Sequence, residues 1–307
     1  MQAPFGPQLF EADDPTNSNE SEFESVLQVF YPEGSVNPAN SPRGDAQFYA
    51  SPIDITSANN VTFAYSVLFP NGSNFVRGGK LPGLYGGRAG CSGGDAATTC
   101  FSTRMMWRKD GQGELYLYAP KDKQTADLCN DFHSVCDAAY GLSVGRGSFS
   151  YTPGKWTRIS QTVTLNTPGE QDGCFTLYVN GERVIDRKDI FYRDEVSYDS
   201  ESMNKKSQGV MRKTRETTPK THSAAPHHPE GELLGLDGVL RLDEPSLDEF
   251  FIQEGGEAIG IQETSELGPI GFIGMFFSTF FGGHEPEWAS PRDQYVWFKD
   301  LSILYNA

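Results

Sequence analysis

Three stretches carry residue types suited to acid-base chemistry beside a carboxylate: the glycine-rich Gly78 to Gly87 with Lys80, then Phe101 to Arg108 and Glu114 to Pro120 with their arginines and tyrosines. The segments Phe101 to Arg108 and Glu114 to Pro120 flank the turn-like sequence Lys109-Asp110-Gly111-Gln112-Gly113, a pattern that predicts a hairpin. In the simplest register Arg108 faces Glu114, Met106 faces Tyr116 and Arg104 faces Tyr118. Side chains alternate between the faces of a strand, so Phe101, Thr103, Met105 and Trp107 fall with Leu115, Leu117 and Ala119 on a core face. Ser102, Arg104, Met106 and Arg108 then share the opposite face with Glu114, Tyr116 and Tyr118. Two tyrosines beside two arginines are more than solubility requires.

One reaction gives these residue types a reason to meet. Breaking the 4-O bond of a uronate requires that the C6 carboxylate be neutralised, the weakly acidic C5 proton removed and the departing O4 protonated. Arg and Lys donors suit the first task. A Tyr suits the proton transfers, as a base if nearby cations lower its phenol pKa and as an acid if it stands near the leaving oxygen. No metal is obligatory in such a scheme, and no redox or nucleotide cofactor is expected.

The elements that must carry this set read as β-structure. The 307 residues include 33 Gly and 19 Pro and show no convincing amphipathic helix. From Val61 to Phe69 the pattern has the period of a half-buried strand, and it returns at Phe101 to Trp107, Leu115 to Ala119, Thr157 to Leu165 and Phe175 to Val179. Asn180-Gly181 supplies a two-residue hairpin turn, and two long apolar strands, Ile270 to Phe281 and Gln294 to Tyr305, close the chain. Many short strands with this patterning describe a sandwich. Residues 1–45 read as a loop-rich lead-in with one edge strand, Val26 to Tyr31, and 46–307 as a single domain. That domain is interrupted at about 195–267, where the chain turns first basic and then acidic, as disordered inserts do. His222, His227 and His228 in this insert read as solvated bystanders.

A net charge of −16 argues against nucleic acid as a partner, and no apolar run is long enough to span a membrane. The same charge means that a polyanionic substrate must meet a local positive patch. Cys91 and Cys100 bracket a glycine-rich loop, Cys129 and Cys136 a polar one, and Cys174 is left over. Two local disulfides and one buried thiol are the simplest arithmetic and imply an oxidising, extracellular setting, although no signal peptide is visible at Met1-Gln2-Ala3-Pro4. Zinc is the rival reading, but none of the four loop cysteines forms a C-x-x-C knuckle. A monomer is expected.

Gly79-Lys80-Leu81-Pro82-Gly83, Phe101-Ser102-Thr103-Arg104, Leu115-Tyr116-Leu117-Tyr118, Phe277-Ser278-Thr279-Phe280-Phe281-Gly282-Gly283 and Asp293-Gln294-Tyr295-Val296-Trp297-Phe298-Lys299-Asp300 resemble polysaccharide lyase family 14, the alginate-lyase-like enzymes and their fungal members. The resemblance covers most of residues 50–193 and 268–305. It implies a jelly-roll β-sandwich of two antiparallel sheets, with an acidic polysaccharide, alginate or glucuronan, held on a concave sheet and cleaved by β-elimination. It also implies a cleft lined by a Lys, a Ser, an Arg and two Tyr, matched here by Lys80, Ser102, Arg104, Tyr116 and Tyr118, with Arg104 and Lys80 as carboxylate neutralisers, Tyr118 or Tyr116 as the acid or base, Ser102 as a positioning hydrogen bond, and Arg108, Glu114 and His284 as further substrate-binding candidates. The rival from another class is a non-catalytic carbohydrate-binding module, which would not need the acid-base set. A glycoside hydrolase would want two carboxylates flanking the bond, and the inferred face offers only Glu114.

Overall fold

The computed structural model describes residues 9–16, 25–195 and 269–306. The insert expected at about 195–267, with its histidines, therefore lies almost wholly outside the described residues. The strands are β1 (Leu9–Asp13), β2 (Ser25–Tyr31), β3 (Asp45–Ala50), β4 (Asn60–Leu68), β5 (Gly78–Leu81), β6 (Gly83–Gly86) and β7 (Phe101–Arg108). They continue with β8 (Gly113–Tyr118), β9 (Leu142–Val144), β10 (Trp156–Thr164), β11 (Gly173–Val179), β12 (Glu182–Ile190), β13 (Phe272–Phe281) and β14 (Gln294–Asn306). A five-residue helix, α1 (Ala126–Asn130), is capped at its N-terminus by the Thr125 hydroxyl, which accepts the Leu128 N–H.

Two antiparallel sheets of a jelly-roll sandwich result. The first runs β1-β2-β14-β4-β10-β11-β12; the second runs β3-β13-β5-β7-β8-β9, with β6 pairing both β13 and β7. The N-terminal segment is more integrated than its polar composition predicts. The apolar stretch read as an edge strand is β2, which lies inside the first sheet between β1 and β14, and the edge belongs to β1.

Period-two patterning decides which side chains meet between the sheets. Along β10 the residues alternate between half-buried and buried, and Ile159 and Val163 enter the core with Phe63, Tyr65, Phe175 and Phe298 of the same sheet. Phe101, Met105, Trp107, Leu115 and Leu117 meet them from the second sheet. Burying such side chains is worth roughly 1.5–3 kcal/mol each, which fixes the faces of β7 and β8. A polar contact joins the sheets inside this core, where the Thr103 hydroxyl donates to Gln161 Oε1 at 2.6 Å.

The β7–β8 register differs from the simplest expectation by two residues. Ser102 pairs with Tyr118, Arg104 with Tyr116 and Met106 with Glu114. The pairing runs further toward the turn than expected, and the Arg108 N–H donates to Gln112 O, leaving a three-residue loop in which Asp110 (φ 60°) and Gly111 (φ 77°) are left-handed. Because the shift is even, every side chain keeps its expected face.

Candidate active site

The outer face of the second sheet gathers the candidate residues across strands. Gly79 lies so close to the Trp107 ring that a Cβ there would approach it to 2.0 Å, so glycine lets β5 settle against β7 while Lys80 projects to the opposite side. Lys80 pairs with Met106 on β7, and its Nζ lies 3.1 Å from Met106 Sδ and 3.9 Å from the centre of the Tyr116 ring. Arg104 projects from the same face of β7. Its guanidinium carbon lies 4.7 Å from the Phe276 ring centre, 5.9 Å from that of Tyr116 and 5.8 Å from that of Tyr118. Nη1 donates to Ser278 Oγ at 3.2 Å, and Nε is buried without a partner among the described residues.

Each tyrosine oxygen is fixed by a backbone donor. Gly94 N–H donates to Tyr118 Oη at 3.0 Å, and Gly141 N–H donates to Tyr116 Oη at 3.1 Å. The rings meet edge to face, 5.7 Å apart. Gly94 belongs to the loop closed by the Cys91–Cys100 disulfide, which packs on Met106, Tyr116 and Tyr118. Ser102 donates to Cys91 O at 2.9 Å and is fully buried, so it holds this loop rather than presenting a hydroxyl to a ligand. Lys80, Arg104, Tyr116 and Tyr118 keep only 2–9% of their surface exposed.

Burial dominates the electrostatics. Desolvation, reinforced by the guanidiniums of Arg104 and Arg108, holds Lys80 well below the usual lysine range, with Glu114 pulling the other way. Desolvation raises the Tyr116 phenol, with Tyr118 adding to the rise, and Arg104 and the Gly141 N–H only partly offset it. The expectation that cations lower this phenol is thus corrected: Tyr116 holds its proton.

Glu114 also differs from expectation. It is fully buried, and its two oxygens accept from Arg108 Nε at 2.8 Å, Arg146 Nε at 2.7 Å and Ser143 Oγ at 2.6 Å. Burial raises its pKa, but the two guanidiniums outweigh that and keep the carboxyl below its ordinary range. It organises cations and offers nothing to an acidic ligand. Arg108 lies at the edge of the face with its side chain 17% exposed. His284 is exposed, and its Nε2 is 2.8 Å from Tyr140 Oη, so the pair bridges the loops carrying Gly141 and Gly282. A Cβ on Gly282 would stand 3.6 Å from Lys80 Nζ, which places that bridge beside the Lys80–Tyr116 pair.

Several neighbours were not evident from sequence. Ser278 relays Arg104 to Gln47 on β3, its Oγ donating to Gln47 Oε1 at 3.2 Å. Tyr49, stacked on Phe276 at 4.3 Å, accepts the Gly90 N–H. The Cys129–Cys136 disulfide closes the second loop, and Cys174 is a free thiol that is half-buried rather than buried. Among the described residues, the cluster with metal-ligand geometry is Cys91, Asp95 and Cys100, whose two sulfurs are joined to each other. No helix among the described residues is long and apolar enough to cross a membrane.

A family model described as Polysaccharide lyase 14 matches residues 19–207 and 256–301. No curated protein matches. The chain is similar to the crystal structure of the marine PL-14 alginate lyase from Aplysia kurodai, with 29% identity and a TM-score of 0.63 over 97% of this chain and 87% of that one. It is similar to alginate lyase vAL-1 from Chlorella virus, with 20% identity and a TM-score of 0.57 over 97% and 90% of the two chains. Alginate lyase Aly36B shares the fold at 18% identity and a TM-score of 0.51, covering 91% of this chain and 80% of its own.

Proposed function

The chain belongs to the polysaccharide lyase 14 family, and from that premise we propose that it cleaves an alginate-type polyuronate by β-elimination on the outer face of the second sheet. The observation that carries this reading is Arg104. It is a buried guanidinium whose Nε has no partner among the described residues, and it faces two tyrosines whose oxygens are each held by a backbone N–H. An unsatisfied buried donor is costly, and a carboxylate seated there would satisfy it.

In this reading Arg104 neutralises the C6 carboxylate and stabilises it further as it becomes an enolate-like dianion. Tyr118 removes the C5 proton, its oxygen held in place by the Gly94 N–H. The C4–C5 double bond forms as the C4–O4 bond breaks, and Tyr116, which holds its proton, delivers it to O4. Lys80 is the second cation. Burial disfavours its charge, and an arriving carboxylate restores its proton affinity, so polymer binding takes up a proton at a pH between the two Lys80 values.

The disulfides fit secretion into an oxidising setting, where the polymer is met. The test is a panel of mannuronate-rich alginate, guluronate-rich alginate and glucuronan, followed by the ultraviolet absorbance of the new double bond. Absorbance must rise on an alginate; binding to all three without any rise would make the chain a carbohydrate-binding module instead.

A further inference from the structure

The same face carries a second cationic group that the elimination does not use. We propose that Arg108 and Arg146, mounted on the buried carboxylate of Glu114, form a subsite for the carboxylate of another sugar unit of the polymer, away from the bond being cut. The proposal rests on the polyuronate reading above.

Two guanidiniums share one carboxylate here, so the group keeps a surplus positive charge on a chain whose net charge is −16. The second arginine helps to offset the cost of burying Glu114, which is one reason for it. Its geometry gives another reason. Arg146 meets Glu114 and Ser143 through Nε alone, which leaves Nη1 and Nη2 with no hydrogen bond among the described residues on a side chain 38% exposed. A planar fork presented in this way is the group that binds a carboxylate bidentately.

Position separates this subsite from the centre. Arg108 springs from β7 four residues beyond Arg104, a backbone spacing of about 13 Å at a rise of roughly 3.3 Å per residue, and its guanidinium is drawn toward Glu114 rather than toward the tyrosines. The mount is also preorganised. Arg146 N–H donates to His133 O at 2.8 Å, and Arg146 O lies 2.8 Å from His133 Nδ1. His133 sits in the loop closed by Cys129–Cys136, which is also bridged to β9 through Val135 and Ser143. A loop arginine clasped on both backbone sides loses little freedom when it binds.

Arg146→Gln keeps the Arg108–Glu114 pair and removes the fork. Kinetics on a ladder of oligouronates, from the shortest that is cleaved up to the polymer, should show KM rising roughly tenfold on the long substrates, with kcat held and the shortest substrate unaffected. Arg146→Lys should recover part of the loss. In the native chain, added salt should raise KM more steeply for long substrates than for short ones, a measurement that needs no variant. A loss that is equal at every length, or no loss at any length, would overturn the subsite while leaving the elimination intact. If the native chain makes no unsaturated product from any uronate, the lyase reading itself fails, and the subsite with it.

Discussion

The outer faces of the two sheets are built from the same alternation and end in opposite states. On β10 of the first sheet the outward residues Trp156, Arg158, Ser160, Thr162 and Thr164 are all half-buried beside solvent, and Arg158 finds the Asp300 carbonyl at the surface. On β7 and β8 of the second sheet the outward residues Ser102, Arg104, Met106, Tyr116 and Tyr118 are buried, with Met106, Tyr116 and Tyr118 packed against the loop that Cys91–Cys100 closes. Polar side chains cost nothing on the first face. On the second they are kept from water with a guanidinium nitrogen unsatisfied and an ammonium pressed toward neutrality, an arrangement that makes sense when an anionic ligand completes it.

The contrast predicts unequal responses to substitution. Arg104→Ala should lower the rate of unsaturated-product formation by at least about 10²–10³-fold and weaken polymer binding too, because the charge it meets exists in the ground state and grows in the transition state. Arg158→Ala on the other face should change neither, and equal effects would erase the distinction between the faces. Lys80→Met should lose roughly 10²-fold in turnover while its thermal midpoint stays level or rises, since a desolvated cation is replaced by an apolar chain of similar length. The sign with pH follows from the lowered Lys80 value. The unfolded chain binds this proton more readily than the native one, so native stability rises with pH toward the ordinary lysine value. The stability advantage of the Lys80→Met variant is therefore full below the folded pKa of Lys80 and shrinks above it; melting curves of both proteins across pH would check this.

Smaller effects sharpen the same comparison. Replacing both Cys91 and Cys100 by Ser opens a loop of sequence separation 9, which should cost about 2–3 kcal/mol in denaturant unfolding. It should also reduce turnover by loosening the Gly94 donor to Tyr118. Ser160→Ala on β10 should stay within about 0.5 kcal/mol and leave turnover unchanged.

Period two made much of this legible in the sequence. The grouping of Ser102, Arg104, Tyr116 and Tyr118 on one face needed only alternation and a hairpin, and it survived a two-residue error in register because an even slip preserves faces. The register itself was hidden in the left-handed backbone at Asp110 and Gly111. Ser278 and Gln47 were out of reach for a different reason: they join Arg104 from strands distant in sequence, and alternation does not say which strands become neighbours. Glu114 was assigned to the right face but the wrong task, because Arg146 arrives from the loop after β9 and its pairing with Glu114 leaves no periodic signal.

The central claim is that the two buried tyrosines transfer the protons of an elimination. Tyr118→Phe and Tyr116→Phe each remove one oxygen and spare the ring packing, so both variants should fold and bind polymer, and turnover should fall by on the order of 10²–10⁴ in each. The measurement is the absorbance of unsaturated uronate ends from each variant beside the native chain, with polymer binding followed in parallel. Near-native rates from both variants would contradict the account and move the proton transfers to Lys80 or to the His284–Tyr140 pair.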